Sequence, residues 1–216
     1  SDAVMFEMLF PKEASFVVKA YEEFTLQSAT SIAERFGRDI GHISRVSSVA
    51  IEIYDKMKKL HGYKSRERTL LQVSAILQDI GKYVNVKNHA LLSYNTITNL
   101  DIVGINDHER LIIATVCYYH NGNIPSMDSP IYNQLSQEDR VMVSKLAAIL
   151  QISNAINTSH SPKFEQVSVN MKNGKLNIYL TTLKNINLEK WAFIAKSKLF
   201  KEVYGLNATI IKRGVL

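Results

Sequence analysis

Apolar residues recur every three or four positions between about residues 12 and 160. The clearest series lies within residues 39–60 and predicts one helix with a single apolar face. Its apolar members are Ile40, Ile43, Val46, Val49, Ile53, Met57 and Leu60. Gly62, just beyond this series, is typical of a helix C-terminus.

The same periodicity predicts further helices with recognisable starts and ends. One helix is expected from Ser65 to about Ile80, with Gly81 as its stop, and another over about 88–99. A third opens at the Asn106–Glu109 capping box and carries Leu111 and Val116. A long helix opens at Ser136–Asp139 and carries Leu146 and Ile156. Serine and asparagine suit these starts because their side chains accept hydrogen bonds from free backbone amides.

The pattern changes after Pro162, where apolar and polar residues begin to alternate. Two strands are predicted, over Val167–Met171 and Leu176–Leu180, and Asn173-Gly174 between them is a strong hairpin signal. A last helix over about 188–204 and a strand over Ala208–Lys212 complete the chain. We expect Trp191, Ile194 and Leu199 to cover the hairpin, because an isolated hairpin is only marginally stable.

These elements predict a mainly α fold, in which a bundle of six or seven helices precedes a small β-β-α-β unit. The bundle would occupy residues 13–162 and the unit 163–216. The apolar residues between Val4 and Phe10 suit an additional strand.

Composition narrows the class of partner more than it narrows the fold. The chain has 216 residues and a formal net charge of +6, which favours anionic partners. The single Cys117 excludes an internal disulfide framework and a multi-thiolate zinc site, and fits a reducing cytoplasm. Neither a signal peptide nor an apolar stretch long enough for a membrane helix is expected.

Four polar residues stand among apolar positions on four separate predicted helices. They are His42, Asp79, His120 and Asn154. His42 alone is better explained as a hydrogen-bonded residue at the edge of the core. Together the four could converge inside a bundle, which is how metal sites arise in helical bundles. Neither a Walker A loop nor a dinucleotide-binding glycine motif is present in the sequence.

Several short segments resemble known families. Leu77-Gln78-Asp79-Ile80-Gly81-Lys82 resembles the HD motif of HD phosphohydrolases. The order and spacing of the others resemble the C-terminal HD-type region of the exopolyphosphatase/guanosine pentaphosphate phosphatase (Ppx/GppA) family over about residues 26–210. These segments are Leu60-His61-Gly62, Arg66-Glu67-Arg68, Tyr118-Tyr119-His120-Asn121-Gly122, Leu188-Glu189-Lys190-Trp191 and Leu199-Phe200-Lys201-Glu202-Val203-Tyr204-Gly205. Residues 1–12 resemble the end of that family's preceding domain.

The resemblance implies an HD-type bundle whose metal positions are partly lost. His42, Asp79 and His120 match HD ligand positions. Gln78, Leu92 and Asn154 stand where the HD pattern has a histidine, another histidine and the closing aspartate. Amides bind divalent metals poorly, so we expect no cofactor and no tight catalytic metal. A weak divalent ion would use His42, Asp79 and His120.

In the family, phosphoanhydride chemistry belongs to two upstream actin-like domains. The resemblance therefore implies a C-terminal domain that is not catalytic itself, helps to bind polyphosphate or guanosine polyphosphate, and forms a homodimer. The alternatives are a divergent metal-dependent HD phosphohydrolase acting on a nucleotide or phosphoester and a sensor of small anions. An excised domain and a free-standing relative both remain compatible with these residues.

Five basic residues are the expected anion contacts. They are Arg45, Arg66, Arg68, Lys82 and Lys87. Arg45 lies three residues after His42, and Lys82 follows the pseudo-HD motif, so both could stand at the mouth of the former metal pocket. We expect a cytoplasmic protein with neither membrane nor nucleic acid as its partner.

Overall fold

A computed structural model describes the backbone of residues 11–172 and 174–214. The strand expected within residues 1–10 and Asn173 of the hairpin turn lie outside this described part. Among the described residues, no helix combines the length and the apolar character needed to cross a bilayer.

Helices dominate the described residues, which confirms the predicted mainly α class. They are α1 (Pro11–Arg35), α2 (Ile40–Lys56), α3 (Lys58–His61), α4 (Ser65–Leu77), the 3₁₀ helix η1 (Ile80–Tyr83), α5 (His89–Ile97), α6 (Asp107–Tyr119), α7 (Pro130–Asn133), α8 (Gln137–Ile156) and α9 (Asn187–Tyr204). The short α3 and α7 raise the number of helices before the strands above the six or seven expected.

Two predicted helix boundaries were wrong. The helix expected over residues 39–60 is interrupted at Met57, which separates α2 from α3. The helix opening at Ser65 ends at Leu77, and Gly81 lies inside η1 instead of ending α4. A Cβ atom on residue 81 would collide with the backbone carbonyl of His89 and the backbone amide of Ser93. Gly81 therefore permits the close approach of η1 to α5.

Helix ends elsewhere follow the predicted chemistry. Asn106 and Glu109 form the capping box at the start of α6. The Ser136 side chain accepts a hydrogen bond from the backbone amide of Asp139 at the start of α8. Gly62 ends α3 with a positive φ of 73°, which a glycine adopts without strain.

The C-terminal sheet has the strand order β1–β2–β3. Strands β1 (Gln166–Lys172) and β2 (Lys175–Thr181) form an antiparallel hairpin, and β3 (Asn207–Arg213) pairs in parallel with β2. Helix α9 connects β2 to β3, so the predicted β-β-α-β order is confirmed. The apolar residues of β2 join one connected core with those of the helices.

The expected cover for this sheet was wrong in two of its three members. Trp191 and Ile194 are 71% and 74% exposed, whereas Leu199 is 3% exposed. Phe193 and Phe200, seven residues apart on α9, are almost completely buried. Helix α9 packs against α8 and β3. Its inward face is therefore rotated away from Trp191.

The outer edge of β1 meets a side chain of α2. The backbone N–H of Val169 donates a hydrogen bond to Glu52 Oε1 over 2.8 Å. Val169 is also the buried residue of β1, with 4% of its surface exposed. The helix therefore fixes the position of the strand through both apolar packing and a polar contact.

Candidate functional site: an Asp–His–His cluster beside a polar cavity

Asp79 lies at the bend where α4 gives way to η1. Ser93 of α5 holds this bend in place, because its Oγ accepts a hydrogen bond from Gly81 N (2.9 Å) and donates one to the Gln78 carbonyl (2.8 Å). Gly81 permits the close approach of η1 to α5, and Ser93 connects the two through these hydrogen bonds. Together they place Asp79 opposite the start of α5. Asp79 is 7% exposed.

Three buried side chains converge at this bend. Asp79 Oδ1 lies 3.3 Å from His120 Nε2 and 3.6 Å from His89 Nε2. The two Nε2 atoms lie 3.4 Å apart. Within the described residues, Asp79, His89 and His120 are the set of three carboxylate, imidazole or thiolate groups close enough together to hold one metal ion.

Backbone carbonyls orient both imidazole rings of this cluster. His89 Nδ1 donates to the carbonyl of Val86 over 2.7 Å, and His120 Nδ1 donates to that of Cys117 over 2.5 Å. A carbonyl oxygen only accepts hydrogen bonds, so each Nδ1 carries a proton and each Nε2 faces Asp79. Burial lowers the pKa of His89, which favours its neutral form.

Lys82 neutralises part of the charge on Asp79. Its Nζ donates to Asp79 Oδ2 over 2.7 Å, leaving Oδ1 directed toward the imidazoles. Burial by itself would raise the pKa of Asp79, but contact with His120 and Lys82 outweighs burial and holds the pKa below its usual value. The carboxylate therefore stays ionised.

A cavity of about 280 Å³ opens beside Asp79. Its lining residues are Arg38, Asp39, His42, Ile43, Gln78, Asp79, Lys82, Val86 and His160. Buried side-chain atoms with no hydrogen-bond partner among the described residues occur on Arg38 (Nε), His42 (both ring nitrogens) and Gln78 (both amide atoms). Burying such atoms without a partner costs free energy, so this side of the cavity suits water or a polar ligand that would supply the missing hydrogen bonds.

His42 belongs to the cavity and not to the Asp–His–His cluster. Its ring lies against that of His160, with centroids 4.2 Å apart and the two planes tilted by 31°. Burial, helped by the neighbouring His160, lowers the pKa of His42 to about 4. The structure thus brings Asp79 and His120 together with His89, whereas the sequence reasoning had grouped them with His42.

Sequence reasoning missed His89 by one helical turn. It assigned the lost ligand to Leu92, which lies three residues after His89 on the same side of α5. The sequence signal that could have found His89 is its position one helical turn before Leu92, on the same side of the predicted helix. Asn154 is half-buried on α8 and does not line the cavity. Arg38, whose Nη1 donates to the Asp79 carbonyl over 3.2 Å, was also missed.

The five predicted anion contacts do not share one surface. Arg66 makes two hydrogen bonds to Glu109, of 2.6 and 2.5 Å, and Arg68 makes two to Asp55, of 2.9 and 3.0 Å. Arg45 lines a separate cavity with Glu52 and strand β1. Of the five, Lys82 lines the cavity beside Asp79, and Lys87 is an exposed residue of the same loop region.

One comparison with known proteins bears on the family to which this site belongs. A family model described as Ppx/GppA phosphatase, domain III, matches residues 26–200. The match covers most of the chain, including Asp79, His89 and His120.

Proposed function

The chain belongs to the Ppx/GppA phosphatase domain III family, and from this membership we propose that it binds polyphosphate or guanosine polyphosphate for an exopolyphosphatase-like protein. In this proposal the domain does not carry out phosphoanhydride hydrolysis itself. It supplies a positively charged surface that holds part of the phosphate polymer, and it helps two copies to associate.

The observation that carries the proposal is the polar cavity beside Asp79, which presents two cations, Arg38 and Lys82, together with two carboxylates, Asp39 and Asp79. Within the described part of the chain, the buried Arg38 Nε has no hydrogen-bond partner. An arginine fork matches the oxygens of a phosphate group. The chain's net charge of +6 favours the approach of a polyanion.

The ion pairs described above make some of the five expected anion contacts less available to phosphate than others. Arg66 and Arg68 each already hold a carboxylate through two hydrogen bonds, so a phosphate would have to compete with Glu109 or Asp55. Arg45 is turned toward a different cavity. Lys82 also holds a carboxylate, that of Asp79, but it lines the same cavity as Arg38. Lys82 and the nearby Lys87 are therefore the residues of the predicted set to test first, together with Arg38.

The test is a titration of long-chain polyphosphate at low and at near-physiological salt. Charge-driven binding releases counterions and should weaken steeply as salt is added. The Lys82→Ala, Lys87→Ala double variant should bind more weakly than a Lys190→Ala, Lys201→Ala control. The control removes the same charge from exposed positions on α9. Binding that ignores both salt and the Lys82/Lys87 change would contradict the proposal.

Dimerisation is the second part of the proposal and rests on the family resemblance. Sedimentation velocity over a range of protein concentrations should show a species of twice the chain mass. A monomer at every concentration would remove this part and leave the binding role to be judged by the polyphosphate titration alone.

The Asp–His–His cluster favours one alternative, a metal-dependent phosphohydrolase. The two roles differ in turnover. Under the proposed role, the purified chain releases no phosphate from polyphosphate or from nucleotides, with or without added divalent metal. Sustained release that Asp79→Asn abolishes would make the phosphohydrolase the better description.

A further inference from the structure

Two imidazole nitrogens and one carboxylate oxygen of the cluster face one another. Each Nδ1 donates to a backbone carbonyl, which leaves each Nε2 facing the other two atoms of the cluster. Asp79 Oδ1, the third atom, is buried and has no well-directed hydrogen bond to any described residue. One cation placed among these three atoms, which lie 3.3 to 3.6 Å apart, would contact all of them.

The spacing of these atoms agrees with that of ligands around one metal ion. Zinc–nitrogen and zinc–oxygen bonds of about 2.0–2.1 Å in a tetrahedral site place neighbouring ligand atoms about 3.3–3.4 Å apart. The three separations here are 3.3, 3.4 and 3.6 Å. A metal ion would therefore need little movement of the side chains.

The surrounding contacts are those that metal ligands require. Metal-bound histidines usually donate their other ring N–H to a carbonyl or carboxylate, as His89 and His120 donate to Val86 and Cys117. Lys82 holds the second oxygen of Asp79 and so fixes the carboxylate with Oδ1 inward. All three ligands are less than a tenth exposed.

We infer that Asp79, His89 and His120 bind one divalent transition-metal ion, for which zinc best fits the spacing. This reverses the sequence-based expectation of no tight metal, which was reasoned from His42, Gln78, Leu92 and Asn154 without His89. Two imidazoles and one carboxylate suit zinc and its first-row neighbours better than magnesium or calcium. Three protein ligands leave a further coordination position for water or another oxygen ligand. The inference does not depend on polyphosphate binding.

The experiment measures binding of the metal alone to the whole chain. Protein stripped with a chelator is titrated with Zn²⁺ by calorimetry and with Co²⁺ by visible absorbance, which reports tetrahedral coordination. One ion per chain should bind, and the melting temperature should rise with free metal because the ion binds the folded form. His89→Gln and His120→Gln should each weaken binding by at least about 100-fold, since even the loss of a supporting contact costs about 10–100-fold.

Two matched variants distinguish this ligand set from binding elsewhere on the chain. His42→Gln removes the histidine of the alternative ligand set, and His108→Gln removes an exposed imidazole on α6 that pairs with Asp139. Both should bind Zn²⁺ as the parent chain does. Circular dichroism checks that each variant is folded. Absence of stoichiometric binding in the folded parent, or a loss with His42→Gln equal to that with His89→Gln, would overturn the inference.

Discussion

His61, the last residue of α3, is held in its neutral form by two hydrogen bonds. Its Nε2 donates to the Tyr54 carbonyl over 2.8 Å, and its Nδ1 accepts from the Tyr63 amide over 3.0 Å. Protonation would remove the acceptor and charge a ring that is 5% exposed. Burial accordingly lowers the pKa of His61 below the 6.5 of an exposed histidine.

The sign of the pH dependence follows from that shift. Below about pH 6.5 the unfolded chain binds a proton at His61 that the folded chain refuses, so the free energy of unfolding falls as the pH falls. Urea unfolding between pH 8 and pH 5 should show this decline. His61→Gln should remove part of the slope. An unchanged slope in His61→Gln would contradict the assignment.

Gly81 is the residue at which a single methyl group should disturb the site. Its missing Cβ is what allows the backbone of η1 to approach His89 and Ser93. Gly81→Ala should destabilise the chain by about 3 kcal/mol, the upper end of typical overpacking costs, and should weaken Zn²⁺ binding as well. Gly214→Ala is the control, because no described residue lies within 4 Å of its added methyl. Thermal unfolding and zinc titration of both variants make the comparison.

The candidate site was only partly predictable from the sequence. Asp79 and His120 were found because each polar residue ends an otherwise apolar helix. His89 was missed because it is the first residue of a short helix, and polar residues are common at helix starts, so it did not stand out from its neighbours. Its role depends on the bend at Gly81, which brings α5 against η1, and pairings across such a bend leave no periodic signal in the chain.

At the scale of the helix, the capping box of α6 is open to direct measurement. The Asn106 side chain accepts a hydrogen bond from the Glu109 amide over 2.9 Å. Asn106→Ala should lower the free energy of unfolding by about 1 kcal/mol. Asn88→Ala is the matched control, since Asn88 precedes α5 without a side-chain capping bond. Equal effects of the two changes in urea unfolding would show that the cap does not stabilise α6.

The order of elements was predicted well, and their exact limits less well. Periodicity reports which face of a helix is buried, so α2, α6, α8 and all three strands were found. It does not report a break that leaves the apolar series intact, such as the one at Met57. The four-residue helices α3 and α7 are too short to show a period.

At the scale of the whole molecule, α9 joins the sheet to the bundle through one face only. Phe193 is 2% exposed within the shared core, and Trp191 is 71% exposed two residues earlier. Phe193→Ala should therefore cost about 3–5 kcal/mol of unfolding free energy. Trp191→Ala should change it by less than about 0.5 kcal/mol. Chemical unfolding followed by circular dichroism compares them, and a large loss in Trp191→Ala would place that ring in the core.

The hydrogen bond from the Val169 amide to Glu52 should affect how readily the purified protein aggregates during storage. An open strand edge can template pairing with another chain, and β1 is an outer strand of the sheet. Glu52→Ala would free the Val169 amide to recruit a strand from a second molecule, while Glu52→Gln keeps an acceptor oxygen in place. Concentrated Glu52→Ala protein should become turbid on storage sooner than the parent or Glu52→Gln, as light scattering would record. The carboxylate of Glu52 would thereby protect the whole protein against aggregation during storage.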